Sequence, residues 1–191
     1  MRVVAGSVGG RRLAAPPGTD TRPTTDRVRE AVFNALGSLG VVHDAEVVDL
    51  FAGSGALGIE ALSRGAARAH FVESDRRAAD VVAANLADLG LADRGVVVRR
   101  AVEAAVDQLP EPVDLVLADP PYAFDGWAEL LDRLGPKLAA DAVVVAESDR
   151  SLALPAGWEK VRERTYGGTV VVFARREPPD PGRPRPTGAD A

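Results

Sequence analysis

The stretch from Val47 to Gly58, Val-Val-Asp-Leu-Phe-Ala-Gly-Ser-Gly-Ala-Leu-Gly, limits this chain more than any other. Val47, Val48, Leu50 and Phe51 form the near-continuous apolar run expected of a strand buried on both faces. Gly53 and Gly55 turn the chain, and Ala56 to Leu62 carry it into a helix. Glycine suits a turn where backbone must approach a ligand or take angles that a Cβ resists. The helix start offers unpaired N–H groups and a positive dipole end to a ligand carboxylate or phosphate.

Alternation follows from that stretch onwards. Strands are expected at 46–51, 69–73, 95–99, 113–118 and 142–147, with helices at 56–64, 76–89, 101–108 and 126–138 between them. Strict alternation predicts a parallel sheet covered on both faces. Residues 158–165 and 169–175 flank Gly167-Gly168 and read as an antiparallel hairpin that closes the sheet. Residues 2–5 and 11–15, around Gly6, Gly9 and Gly10, read as a hairpin or loose β-arm. Val28, Ala31, Val32, Ala35, Leu36 and Leu39 make a helical stripe, with Thr25 or Asp26 as N-cap and Gly37 and Gly40 as its end. The organisation expected is an N-terminal arm and helix over 1–40, an α/β domain over 41–176, and a disordered tail over 177–191, where five prolines fall.

Composition narrows the function. No cysteine is present, and His43 and His70 stand apart, so neither thiolate chemistry nor a metal is expected. No apolar run reaches a membrane span, and the start does not resemble a signal peptide. A cytoplasmic monomer without a membrane partner is the expectation. Residues 1–30 hold six arginines against three acids, or +3, which leaves −8 for the rest of a chain of net charge −5. A basic arm on an acidic body points to a local anionic partner. Lysine occurs only at 137 and 160, so part of that arginine content is compositional habit.

In a doubly wound sheet, ligands sit at the carboxyl ends of the strands. Asp49, Glu73 and Asp119 fall there. Gly53, Gly55 and Gly58 fit the G-x-G-x-x-G spacing, and Glu73 follows Gly53 by twenty positions. A carboxylate there can accept both hydroxyls of a ribose. The third strand ends on Arg99, Arg100 and Ala101 instead of an acid, with Glu103 nearest, which leaves an adenine contact to the backbone.

Asp119-Pro120-Pro121-Tyr122 follows a buried strand directly. The two prolines fix the backbone and remove two donors. What remains is a rigid pair of acceptors, the Asp119 carboxylate and the Pro120 carbonyl. Such a pair can grip the hydrogens of an exocyclic amino group, whose lone pair is otherwise delocalised into the ring. Tyr122 can stack on the base.

With these residues in view, the chain resembles the 16S rRNA guanine-N2 methyltransferase family. The match is carried by Arg22-Pro23-Thr24-Thr25-Asp26-Arg27-Val28-Arg29-Glu30 with Phe33-Asn34, by Asp49 through Ala66, and by Asp119 through Tyr122. The resemblance implies a Rossmann-like class I methyltransferase fold, a mostly parallel seven-stranded sheet closed by an antiparallel hairpin. It implies S-adenosylmethionine as cofactor, held by Asp49, Phe51, Gly53, Ser54, Gly55, Gly58, Glu73 and Asp119. It implies Asp119, Pro120 and Tyr122 as catalytic residues. The target implied is guanine 966 of 16S rRNA, in the small ribosomal subunit or a late assembly intermediate. Arg11, Arg12, Arg22, Thr24, Arg27 and Arg29 are the RNA-binding candidates. The family often carries a basic residue where Ala123-Phe124-Asp125 stands here.

Alternatives remain open at this point. Amine methyltransferases acting on adenine or on a protein glutamine share the Asp/Asn-Pro-Pro-Tyr motif. A nicotinamide-dependent oxidoreductase would use the glycines and Glu73, but gives Asp119-Pro120-Pro121-Tyr122 no role. A non-catalytic RNA-binding module would use the arginine arm and has no need of an intact glycine turn.

Overall fold

A computed structural model describes residues 1–16 and 26–178. The helix α1 (Asp26–Leu39) precedes β1 (Glu46–Leu50), α2 (Ala56–Ser63), β2 (Arg68–Val72), α3 (Arg76–Leu89) and β3 (Gly95–Val98). Then come α4 (Val102–Ala105), β4 (Val113–Ala118), α5 (Trp127–Leu134), β5 (Leu138–Ser148), β6 (Trp158–Tyr166) and β7 (Thr169–Arg176). The seven strands form one sheet of order β3-β2-β1-β4-β5-β7-β6. The first five run parallel; β7 is antiparallel to both β5 and β6. The order reverses between β1 and β4, which opens the crevice where such sheets take ligands.

Side-chain alternation along the strands splits the core in two. Val47, Phe71, Leu115 and Val143 face the α1, α2 and α3 layer through Val32, Leu36, Ile59, Val82 and Leu86. Val48, Leu50, Val72, Val116 and Val144 face α4 and α5 through Val102, Leu130, Leu131 and Leu134. Val3 and Leu13 of the arm and Val28, Val32 and Phe33 of α1 lie in the first cluster, so the N-terminal segment shares its core with the sheet.

Some boundaries differ from the sequence reading. Helix α1 runs through Gly37 and ends at Leu39, with Gly40 taking the left-handed conformation at φ +71°. Its buried face is Val28, Arg29, Val32, Phe33 and Leu36, rotated towards Phe33 and away from Ala31. The expected N-cap Thr25 lies outside the described residues. The arm folds back on itself through an antiparallel bridge, Arg2 to Arg12, with the Val3 amide donating to the Arg11 carbonyl at 2.9 Å and the Gly10 amide to the Val3 carbonyl at 2.8 Å. Helix α5 stops at Leu134 because Pro136 cannot continue the hydrogen-bond ladder. Strand β5 consequently begins at Leu138, with a register shift against β4 between Val113 and Leu115. Most of the tail, 179–191, lies outside the described residues.

No helix among the described residues is long and apolar enough to cross a membrane. None of the described His, Asp and Glu residues group in threes as a metal site would require.

Candidate active site

The strand ends at the order reversal set the backbone first. Phe51 leaves β1 at φ +58°, and Gly53 and Gly55 follow at +56° and +79°. Left-handed backbone costs an aromatic residue about 1–2 kcal/mol, a strain that collects at functional turns. The Phe51 ring is fixed by packing. It meets Phe124 edge-on at 5.2 Å, and Phe124 meets Trp127 at 5.3 Å. The glycine turn is thereby tied to the loop after Asp119-Pro120-Pro121-Tyr122. The Phe124 amide closes that loop on the Pro121 carbonyl at 2.8 Å.

Glu73 stands one residue beyond β2 and holds two turns at once. Its Oε2 accepts the Gly53 amide at 2.8 Å and its Oε1 the Asp75 amide at 2.7 Å. A Cβ on Gly53 would come near only the Phe51 carbonyl oxygen, at 3.9 Å, so the outer side of this turn has room for a ligand.

Asp49 departs from the expectation. The resemblance implies it as a strand-end anchor for the cofactor, but the residue is only 1% exposed. Its Oδ2 accepts the Gly58 amide at 2.8 Å, which moors the first turn of α2 to β1. Burial pushes its carboxyl well above the usual carboxylate range; the Gly58 amide pulls it down, and the charges of Asp119 and Glu73 push it further up. Three carboxyl groups therefore gather at the carboxyl ends of β1, β2 and β4, with Asp49 beneath and Glu73 and Asp119 half-buried above it. The upper pair of acceptors suits a ligand carrying positive charge, and the ammonium and sulfonium of S-adenosylmethionine match it.

Gly58 and Ser54 both pack inward. A Cβ on Gly58 would lie 2.4 Å from Cε1 of Phe71, so glycine is required here to admit the phenyl ring. The Ser54 side chain is buried, its hydroxyl 3.5 Å from the Met1 sulfur.

A cleft of roughly 270 Å³ opens beside the turn, walled by Phe51, Val72, Val102 and Phe124, with Glu73, Ala101 and Glu103 at its edge. Its walls are apolar, as a flat heteroaromatic ring requires. Ala101, the position without an acid, lies at this edge. Asp119 follows β4 half-buried, Pro120 is buried, and Tyr122 is 48% exposed. Asp49, Phe51, Gly53, Glu73 and Asp119 thus meet at one end of the sheet.

The RNA candidates divide. Arg11, Arg12 and Arg27 are exposed, with Arg11 Nη2 donating to the Asp88 carbonyl at 2.8 Å. Arg22 and Thr24 lie outside the described residues. Arg29 is a correction: it is wholly buried, paired with Asp26 at 2.8 Å and facing Glu60 at 3.7 Å, and it donates to the Arg2 carbonyl. A guanidinium so enclosed cannot reach an RNA phosphate.

Three polar residues were missed. Glu60, buried in α2, accepts the Val4 and Ala5 amides at 2.7 and 3.0 Å and Arg64 Nε at 2.7 Å. Ser63 Oγ donates to the Ala5 carbonyl and accepts the Val8 amide at 3.2 Å. Asn85 of α3 pairs with Ala14 through both amide atoms, at 2.9 and 3.1 Å, and donates to the Ser54 carbonyl at 3.0 Å. The signal lay in α2 itself, where a lone Glu interrupts Leu57-Gly58-Ile59 and Ala61-Leu62 on a helix apolar all round.

This strand order, with its one antiparallel strand β7, a glycine turn after β1 and Asp-Pro-Pro-Tyr after β4, defines a class I methyltransferase. The chain belongs to the family described as conserved hypothetical protein 95, whose model matches residues 1–175. Similar proteins include the ribosomal RNA small subunit methyltransferase D of Escherichia coli K12, 38% identical over 182 residues that cover 93% of this chain and 90% of that one. YlbH of Bacillus subtilis is 40% identical over 185 residues, covering 92% and 100%. Among solved structures, yhhF of Escherichia coli superposes with a TM-score of 0.82 at 38% identity, covering 93% of this chain and 98% of that one.

Proposed function

We propose that this methyltransferase uses S-adenosylmethionine to methylate the exocyclic N2 of a guanine in 16S rRNA, within the small ribosomal subunit or a late assembly intermediate. The observation that carries the proposal is the meeting of the Gly53–Glu73 turn and Asp119-Pro120-Pro121-Tyr122 at one sheet end, laced by Phe51 and Phe124. The small-subunit rRNA named for the Escherichia coli relative supports the substrate class. The enzyme is taken to act as a cytoplasmic monomer.

Bound at the turn, S-adenosylmethionine supplies a methyl carbon activated by a sulfonium. Gly53 and Glu73 hold its amino-acid and ribose portions, and the cleft walled by Phe51, Val72 and Val102 takes its adenine. Asp49 acts from beneath, by fixing Gly58 and the start of α2. The carboxyl groups of Glu73 and Asp119 also speak against a nicotinamide dinucleotide, whose anionic pyrophosphate would face them.

Asp119 and the Pro120 carbonyl accept the two hydrogens of the guanine amino group and turn its lone pair towards the glycine turn. Tyr122 stacks on the base and holds its plane. Positioning accounts for most of the rate in such a transfer. A base within a helix cannot reach this edge, so the guanine enters unpaired or flipped. Exposed Arg11, Arg12 and Arg27, with Arg22 and Thr24, contact the surrounding rRNA.

The test is incubation with labelled S-adenosylmethionine and small subunits lacking the modification, followed by nucleoside mass spectrometry. N2-methylguanosine in the rRNA is expected. Label in adenine or in protein glutamine would replace this assignment with another amine acceptor.

A further inference from the structure

The outer edge of the sheet carries a second candidate for nucleic acid. Four arginines, Arg76, Arg77, Arg99 and Arg100, are exposed there. They come from two adjoining strand ends, because Val72 of β2 lies beside Val98 of β3. Each pair neighbours the cofactor cleft: Ser74 and Ala101 line it, two residues before Arg76 and one after Arg100.

The two faces of the edge are both occupied. Arg99 leans to the α3 side, where it meets Asp80 at 2.6 Å, one helical turn from Arg76 and Arg77. Arg100 leans to the opposite face, where it donates to Gln108 at 2.6 Å. The Arg99–Asp80 pair is about half exposed on both sides, so it holds Arg99 only weakly against a competing phosphate.

Behind Arg99 and Arg100 runs a groove of roughly 470 Å³. Its walls include Val97, Val98, Leu109 and Pro110, with His70 on its border. His70 is already engaged by Glu46 at 2.6 Å. β3 is the terminal strand, which leaves its outer backbone groups without a strand partner among the described residues. Cations at the mouth and apolar walls behind match a nucleotide, with phosphate on the guanidinium groups and base against the aliphatic side chains.

We infer that the β3 edge is a second RNA subsite, in which Arg99 and Arg100, one on each face of the edge, grip the two successive phosphates that border an unpaired nucleotide flanking the target and the groove behind them takes its base, with Arg76 and Arg77 holding the next phosphate beyond Arg99. The inference rests on the rRNA assignment above and extends its contact surface beyond the arm. It also accounts for charge that the buried Arg29 cannot provide.

The test compares the parent with R99A/R100A and with R76A/R77A. Binding to a labelled single-stranded RNA copied from the modified region is measured by anisotropy across a salt series, beside calorimetry with S-adenosylmethionine and thermal unfolding. R99A/R100A is expected to bind this RNA about tenfold more weakly near physiological salt. Its log–log salt slope should be shallower by about 1.4, two contacts at about 0.7 each. Cofactor affinity and unfolding temperature should match the parent, since all four side chains lie on the surface. Photo-cross-linking of the same RNA should label the peptide spanning 95–110, and R99K/R100K should keep much of the affinity. Parent-like affinity and slope in R99A/R100A, or cross-links that avoid 95–110, would overturn the subsite. RNA binding that depends on Arg99 and Arg100 in a protein that methylates no rRNA would uphold the subsite and reject the assigned reaction.

Discussion

Glu73 Oε2 accepts the amide proton of Gly53 at 2.8 Å, which joins the end of β2 to the turn that leaves β1. The second oxygen holds the Asp75 amide, so one carboxylate orders both backbone segments that border the cofactor cleft. Glu73→Ala removes both bonds and the acceptor for a ribose. The expected loss in S-adenosylmethionine affinity is about 1–3 kcal/mol, the range for hydrogen bonds to a charged group. Calorimetry reads it directly, and an unchanged affinity would detach Glu73 from the cofactor.

Asp49 yields a prediction about pH. Burial raises its folded-state carboxyl above the ordinary value of about 3.9. Above that ordinary value the folded chain keeps this proton longer than the unfolded chain does, so stability from this group falls as pH rises through the raised value. Asp49→Asn retains an acceptor for the Gly58 amide and cannot ionise. The unfolding free energy of the variant relative to the parent should therefore climb as pH rises from about 4 through the acid range. Denaturant melts across that range check it, and a flat difference would mean that Asp49 carries no raised pKa.

Arg29 and Arg27 sit two positions apart on α1 and should behave oppositely. Arg29→Ala leaves Glu60 short of a buried partner and should destabilise the fold by about 3–5 kcal/mol, the cost of breaking a buried pair. Arg27→Ala removes an exposed side chain and should leave stability unchanged within about 0.5 kcal/mol. Its effect should surface only in RNA binding. Chemical denaturation of both variants separates a structural arginine from an RNA-facing one.

Asn85 should prove to be a joint between the arm and the glycine turn. Asn85→Ala strands the Ala14 amide and carbonyl and the Ser54 carbonyl. A loss of about 1–3 kcal/mol is expected, since the buried Ser54 carbonyl is left unpaired and Ala14 loses both of its bonds to the side chain. Hydrogen exchange should show faster amides in residues 13–16 and 53–55, while β5 and β7 stay protected.

The strand-turn-helix at Val47–Gly58 and the exposed tyrosine after β4 were legible because each depends on local chemistry: apolar continuity, positive φ at glycine, and prolines without donors. The span of α3 (Arg76–Leu89) was legible for a similar reason, with its Asp75 cap and Gly90 stop beside it. The fate of Arg29 was not, because its partner Glu60 is thirty-one positions away and only the fold brings them together. Gly58 and Asp49 fit a ligand motif equally well whether they touch the ligand or hold the turn. That distinction depends on the ring of Phe71 and on burial, neither of which spacing encodes. Helix α1 continued through Gly37 because Val32, Phe33 and Leu36 bury their side chains, and packing outweighs a glycine cost of about 1 kcal/mol.

The most direct test of the account is the turnover of Asp119→Ala and Asp119→Asn on small subunits lacking the modification, measured beside cofactor affinity. Orientation of the guanine amino group by an acceptor predicts that the Ala variant loses most turnover, that the Asn variant keeps measurable activity, and that both bind S-adenosylmethionine nearly as the parent does. Asn and Ala variants that are equally inactive would contradict it and assign Asp119 the role of a general base.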